Sequence, residues 1–151
     1  FLSKKAISAD IQSVKKDEVI KEMVDLLIEA GDIEKRHRNK LIDALMARES
    51  LGSTAIGQGI AIPHAKSDCV DKLVAAFGIS KKGVNFDSLE GEPVYIFFLL
   101  VAQQDSAGPH LKALARISRL LKDKYFRDGL RACADAKAIL KIISQEDEKK
   151  V

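Results

Sequence analysis

Three residues in this chain have a type and setting suited to chemistry: His64, His110 and Arg48. His64 closes the run Arg48-Glu-Ser-Leu-Gly-Ser-Thr-Ala-Ile-Gly-Gln-Gly-Ile-Ala-Ile-Pro-His64-Ala-Lys66. An imidazole is the side chain whose ordinary pKa leaves an unprotonated ring nitrogen near neutral pH, so His64 is a candidate nucleophile. Read on its residues alone, the plainer alternative is a structural loop histidine. His110 follows Gly108-Pro109 at the start of a helical pattern, where it would either donate to an anion or pack as a core histidine. Arg48 carries a planar guanidinium fork suited to phosphate oxygens, but a cation ending a helix is also favoured by the macrodipole. A zinc site from His64, His110 and Cys69 lacks close-spaced ligand pairs and a carboxylate to act as general base. Gly57-Gln58-Gly59 lacks both the continuation of a dinucleotide loop and the lysine of a phosphate-binding loop.

Glu49, Ile56-Gly57 and Ile60-Ala61-Ile62-Pro63-His64-Ala65 together resemble a known phosphorylation-site signature. It is that of the enzyme IIA domains of the fructose–mannitol–nitrogen type, from the bacterial phosphoenolpyruvate-dependent phosphotransferase system. Arg48 through Thr54 is most similar to the nitrogen-regulatory branch, and Pro109-His110-Leu111 extends the resemblance toward the C-terminus. Ala65 stands where many members carry glycine.

The resemblance implies that His64 accepts a phosphoryl group from a histidine phosphocarrier protein. It places Arg48 and His110 beside that histidine. Thr54 is expected to offer a hydroxyl, and Gly57 and Gly59 a loop that a second molecule can approach. Neither metal nor cofactor is implied, because the donor is another protein's phosphohistidine. Two outlets follow. The phosphorylated chain would act as a nitrogen-type regulatory switch on target proteins, or pass its phosphoryl group to a IIB domain for sugar uptake.

These residues need a scaffold. The 151 residues are enough for one domain with one core, and 46% hydrophobic with 31% charged is a globular composition. A net charge of +3, without a Lys/Arg block or interleaved aromatics, gives no support to nucleic-acid binding. Cys69 and Cys133 stand apart, which suits a reduced, cytoplasmic chain with incidental thiols. No run is long enough for a membrane helix, and the N-terminus, which begins at Phe1, lacks the order of a signal peptide.

Val94 to Val101 is apolar at nearly every position and predicts a central strand covered on both faces. Covering both faces requires helices on each side. The expected fold class is therefore α/β, a three-layer α/β/α sandwich with a mixed central sheet, as a single domain over 1–151.

Helices are expected after Ser13 or Asp17 as caps, from about Glu34 to Arg48, from Pro109, and around Phe126 to Ala132 and Ala136 to Ser144. Leu111, Leu114, Ala115, Ser118 and Leu121 are the expected buried stripe of the third. Lys112, Arg116 and Arg119 on another face read as a solvated face or a docking surface, and His37 as part of a solvated charged run. Ala6 to Ile11 is a strand or ordered arm. Ile60 to Ile62 reads as a short buried strand ending at Pro63, and Leu73 to Ile79 as a strand closed by a Lys81-Lys82-Gly83 turn. Residues 145–151 read as a charged, frayed tail.

Overall fold

The computed structural model describes residues 2–106 and 108–149. Strand β1 spans Leu2–Ser8, helix α1 Lys16–Glu29 and helix α2 Arg38–Ser50, the last preceded by a 3-10 turn at Lys35–His37. Strands β2 (Ala55–Gly57), β3 (Ile60–Ala61), β4 (His64–Ser67), β5 (Val74–Val84) and β6 (Val94–Gln103) follow. Helices α3 (Gly108–Leu120), α4 (Lys124–Arg131) and α5 (Ala136–Lys149) complete the chain.

β6 is the spine, as its unbroken apolar sequence requires. It pairs antiparallel with β5 on one side and parallel with β3 and β4 on the other, while β1 lies outside β5 and β2 outside β3. Side chains of β6 alternate between two cores. Phe97, Leu99 and Val101 face α1 and α2; Ile96, Phe98 and Leu100 face α3, α4 and α5. The mixed sheet between two helical layers is the sandwich expected.

Several local expectations are corrected. Pro63 separates β3, which stops at Ala61, from β4, but it does not end the pairing with β6. Ile60 faces Ile96 and Ala61 faces Phe97 before it, and His64 faces Leu100 and Ala65 faces Val101 after it, so the register is unchanged across the proline. Proline removes one donor, but its carbonyl still accepts from the Leu100 amide at 2.9 Å. Lys81-Lys82-Gly83 does not close β5 either. The strand runs on to Val84 through an irregularity, with Gly83 at a φ of 85° that a side chain would adopt only with strain.

Neither Ser13 nor Asp17 caps α1. The N-cap is Lys15, without a side-chain bond, and the Ser13 hydroxyl donates to Glu22 Oε1 at 2.7 Å. In α3 the buried face is His110, Ala113, Ile117 and Leu120; of the expected stripe, Leu121 just past the helix is buried and Leu114 packs on the same core, but Ala115 is exposed and Leu111 is 65% exposed. Anchoring that stripe on the first leucine and not on His110 turned it partly off the buried face. Arg116 of the basic stripe donates twice to Asp147, both at 2.6 Å. Residues 145–149, expected as a tail, are helical; 150–151 lie outside the described residues. Both cysteines are free.

Candidate functional site

The site lies where the C-terminal end of α2, the edge strand β4 and the N-terminal end of α3 meet. Among the described residues β4 pairs with β6 alone, and residues at the end of α2 line a cavity with it. Period-two alternation puts Ala61 and Ala65 into the core beneath α1 and α2, and Ile60 and Ile62 into the other. His64 and Lys66 therefore share the α3 side of the strand. A cavity of about 580 Å³ opens there. Arg48, His64, Lys66 and His110 supply its polar groups; Ala44, Ala47, Ser50, Leu51 and Ala65 supply its small or apolar wall.

The orientation of His64 follows from the backbone beneath it. In a strand the N–H and C=O of one residue point to the same side, and those of Ile62 point away from β6. The Ile62 amide donates to the Thr54 carbonyl at 3.0 Å, extending the β2–β3 pairing by one bond. Beyond that bond the hairpin ends. The Ile62 carbonyl meets the His64 ring instead, at 2.8 Å from Nδ1. A carbonyl only accepts, so Nδ1 carries the proton, and in a neutral ring Nε2 then keeps its lone pair.

His110, in the first turn of α3, is 6% exposed, and its ring lies 5.3 Å from that of His64, tilted by 52°. Burial holds its pKa below the ordinary imidazole value, and positive charge on His64 and Lys66 pushes the same way. Both effects favour the neutral form of His110. Its Nδ1 is buried and has no hydrogen-bond partner among the described residues. Arg48, in the last turn of α2, donates from Nη1 to the Gly52 carbonyl at 2.9 Å, which leaves other guanidinium N–H groups for the cavity.

The structure brings together His64, His110 and Arg48, and separates the remaining expected residues from them. Thr54 is buried, with its hydroxyl and amide both on Glu49, and does not line the cavity. Gly57 and Gly59 shape the β2–β3 hairpin with φ of 93° and 77° and also lie outside it. The Gly59 carbonyl is occupied by the Tyr95 and Ile96 amides, so this loop serves the sheet. Lys66 is the cavity residue that sequence reading passed over. The signal was its place two residues after His64, on the same face of a strand, once Pro63 is not taken to end it. Among the described residues no three His, Cys, Asp or Glu side chains are grouped to hold a metal ion.

Paired imidazoles, one of them buried, beside an arginine and a lysine in an open cavity suit the handling of a phosphoryl group. Comparison with known proteins agrees. Residues 1–146 match the family described as "Phosphoenolpyruvate-dependent sugar phosphotransferase system, EIIA 2". The chain belongs to this family, and it is a phosphoryl-carrier domain of the phosphotransferase system.

Relatives of both kinds occur. The chain is 42% identical over 148 residues, 98% of its length, to the "PTS system fructose-specific EIIABC component" of Bacillus subtilis, but spans 23% of that protein. It is 38% identical to a "Nitrogen regulatory protein" of Bradyrhizobium diazoefficiens, covering 80% of this chain and 78% of that one. The crystal structure of nitrogen regulatory protein IIA-Ntr from Neisseria meningitidis superposes with a TM-score of 0.85 at 30% identity, over 94% of this chain and 95% of that one. No helix among the described residues is long and apolar enough to cross a membrane.

Proposed function

We propose that His64 is the phosphoryl acceptor and that Nε2 is the reacting atom. The observation that carries this is the 2.8 Å contact from Nδ1 to the Ile62 carbonyl, which fixes the tautomer with Nε2 unprotonated. The donor is a phosphohistidine of a phosphocarrier protein. The Nε2 lone pair forms the new P–N bond as the donor's P–N bond breaks, and the donor imidazole leaves with that electron pair. The Nδ1 proton stays on the ring. As His64 gains positive charge, its bond to the Ile62 carbonyl strengthens, a contact worth more in the transition state than before it.

Charge spreading over the three equatorial oxygens is met by Arg48 and Lys66. A neutral His110 offers a ring N–H without a further full charge. It takes nothing from the nucleophilicity of its neighbour, as a second imidazolium 5.3 Å away would.

The phosphorylated chain then acts in the cytoplasm as a nitrogen-type regulatory switch, changing which proteins it binds. The motif from Arg48 to Thr54 and the similarity to nitrogen regulatory proteins support this reading. A second reading, relay to a IIB domain, is favoured by the 42% identity to the fructose-specific component. Incubation of the radiolabelled phosphoprotein with a fructose-type IIB domain separates them. Transfer of label within seconds supports the relay; retention of label, with partner binding that differs between the two forms, supports the switch.

A further inference from the structure

Glu49 touches none of the groups in the cavity, yet it is a charged residue only 5% exposed. Such a carboxylate persists only where its oxygens are bonded and its charge is met. Its Oε1 accepts from the Thr54 amide at 3.0 Å and from Lys16 Nζ at 3.0 Å, and Oε2 accepts from the Thr54 hydroxyl. Lys16 is the first residue of α1, where a cation opposes the helix dipole. A locally unfavourable residue at that position is explained by the acid it meets. Lys16 also pairs with Asp87 at 3.3 Å and lies 4.8 Å over the Phe86 ring, so its ammonium is held on three sides.

From Thr54 the bonding continues toward the histidine. Both polar groups of Thr54 on the Glu49 side are fixed, which fixes where its carbonyl points. That carbonyl accepts the Ile62 amide at 3.0 Å, and the Ile62 carbonyl accepts the His64 Nδ1 proton at 2.8 Å. No other described hydrogen bond holds the His64 ring. The tautomer of the acceptor is thus set at the end of a line that starts from a buried ion pair.

We propose that Glu49 is a positioning residue for phosphoryl transfer. Through Thr54 and the Ile62 peptide it keeps the His64 proton on Nδ1 and the lone pair on Nε2, with Lys16 holding it in place. This rests on the reading of His64 as acceptor. Loss of the line would leave His64 in a mixture of tautomers, with part of the population protonated on Nε2 and unable to attack. Removing the hydrogen-bond partner that orients a metal-bound histidine typically costs about 10- to 100-fold, and a loss of the same order is expected here. The effect should fall on the rate of transfer and leave the KM for the donor protein unchanged.

The test is the ring ¹⁵N NMR signature of His64, read on histidine-labelled protein. The chain has three histidines, so His64→Ala identifies the signal. The parent should show the Nδ1–H tautomer alone; Glu49→Gln and Thr54→Val should each show a mixture, together with a transfer rate at least about tenfold lower. Thr54→Val keeps shape and backbone and decides the matter if Glu49→Gln does not fold. An unchanged tautomer in a folded variant overturns the proposal, even if the rate falls. The acceptor reading fails separately: it falls if His64→Ala still takes up phosphate.

Discussion

The rings of His64 and His110 lie 5.3 Å apart and tilted by 52°, one partly buried on a sheet edge and the other buried at a helix start. Similar side chains thus occupy unlike surroundings. On the proposed reading, environment and not residue type divides the roles between them.

Replacing His64 with alanine should abolish phosphorylation. Replacing His110 with alanine should leave a slower reaction, because losing one preorganised donor typically costs about 10²–10³ in rate. The assay is incubation with phosphoenolpyruvate and the upstream phosphotransferase proteins, followed by intact mass and acid lability of the product. If His64→Ala still gains an acid-labile phosphoryl group while His110→Ala gains none, the roles are reversed.

Arg48→Lys should also slow transfer, since an ammonium keeps the charge but loses the planar fork that grips two oxygens. Because Arg48 also bonds the Gly52 carbonyl, the same variant should loosen the turn after α2. Faster amide exchange at residues 51–53, measured alongside the rate, would show both effects; parent-like values of both would rule out the assigned part.

Acidification should destabilise the chain through His110. Its pKa is lowered in the folded state by burial and by the charges of His64 and Lys66, whereas the unfolded chain titrates near its ordinary value. Between those two values the unfolded state binds more protons, so stability falls as pH drops through about 6.5 and levels off below the folded pKa. His110→Gln removes this contribution. Its Tm should therefore drop less than the parent's between about pH 7.5 and about pH 5.5. Equal drops would mean that His110 is not held neutral by the fold.

Gly78, in the middle of β5, has no room for a methyl group: a Cβ there would stand 2.7 Å from both Cγ1 and Cδ1 of Ile11. Gly78→Ala should cost about 1–3 kcal/mol by overpacking. Urea denaturation monitors the loss, and the double variant Gly78→Ala/Ile11→Val should recover part of it. A parent-like midpoint for Gly78→Ala would show that the segment before α1 yields freely.

The sequence disclosed most where one physical constraint acted alone. Val94 to Val101 is apolar at nearly every position, and a strand buried on both faces was the structure that could absorb it. His64 was visible for its glycine- and proline-rich approach. Thr54 was misjudged because a hydroxyl near a motif reads the same whether it faces a ligand or a buried carboxylate, and its partner Glu49 was noticed only as part of a pattern. Lys66 was hidden by treating Pro63 as an end. The proline forfeits one donor, but a strand paired on one side tolerates that when the carbonyl still bonds. The α3 stripe slipped because a buried histidine was not counted as a core residue.

Ile62 contributes to the proposed acceptor through its peptide group alone. A side-chain scan of this stretch would score the position as packing and miss the link, since every amino acid brings the same carbonyl. The contact is therefore protected against substitution and exposed to insertion or deletion. Residue 62 is free to drift among strand-forming side chains without disturbing the proton on His64. A single residue added or lost between Thr54 and His64 would shift the carbonyl out of reach at once.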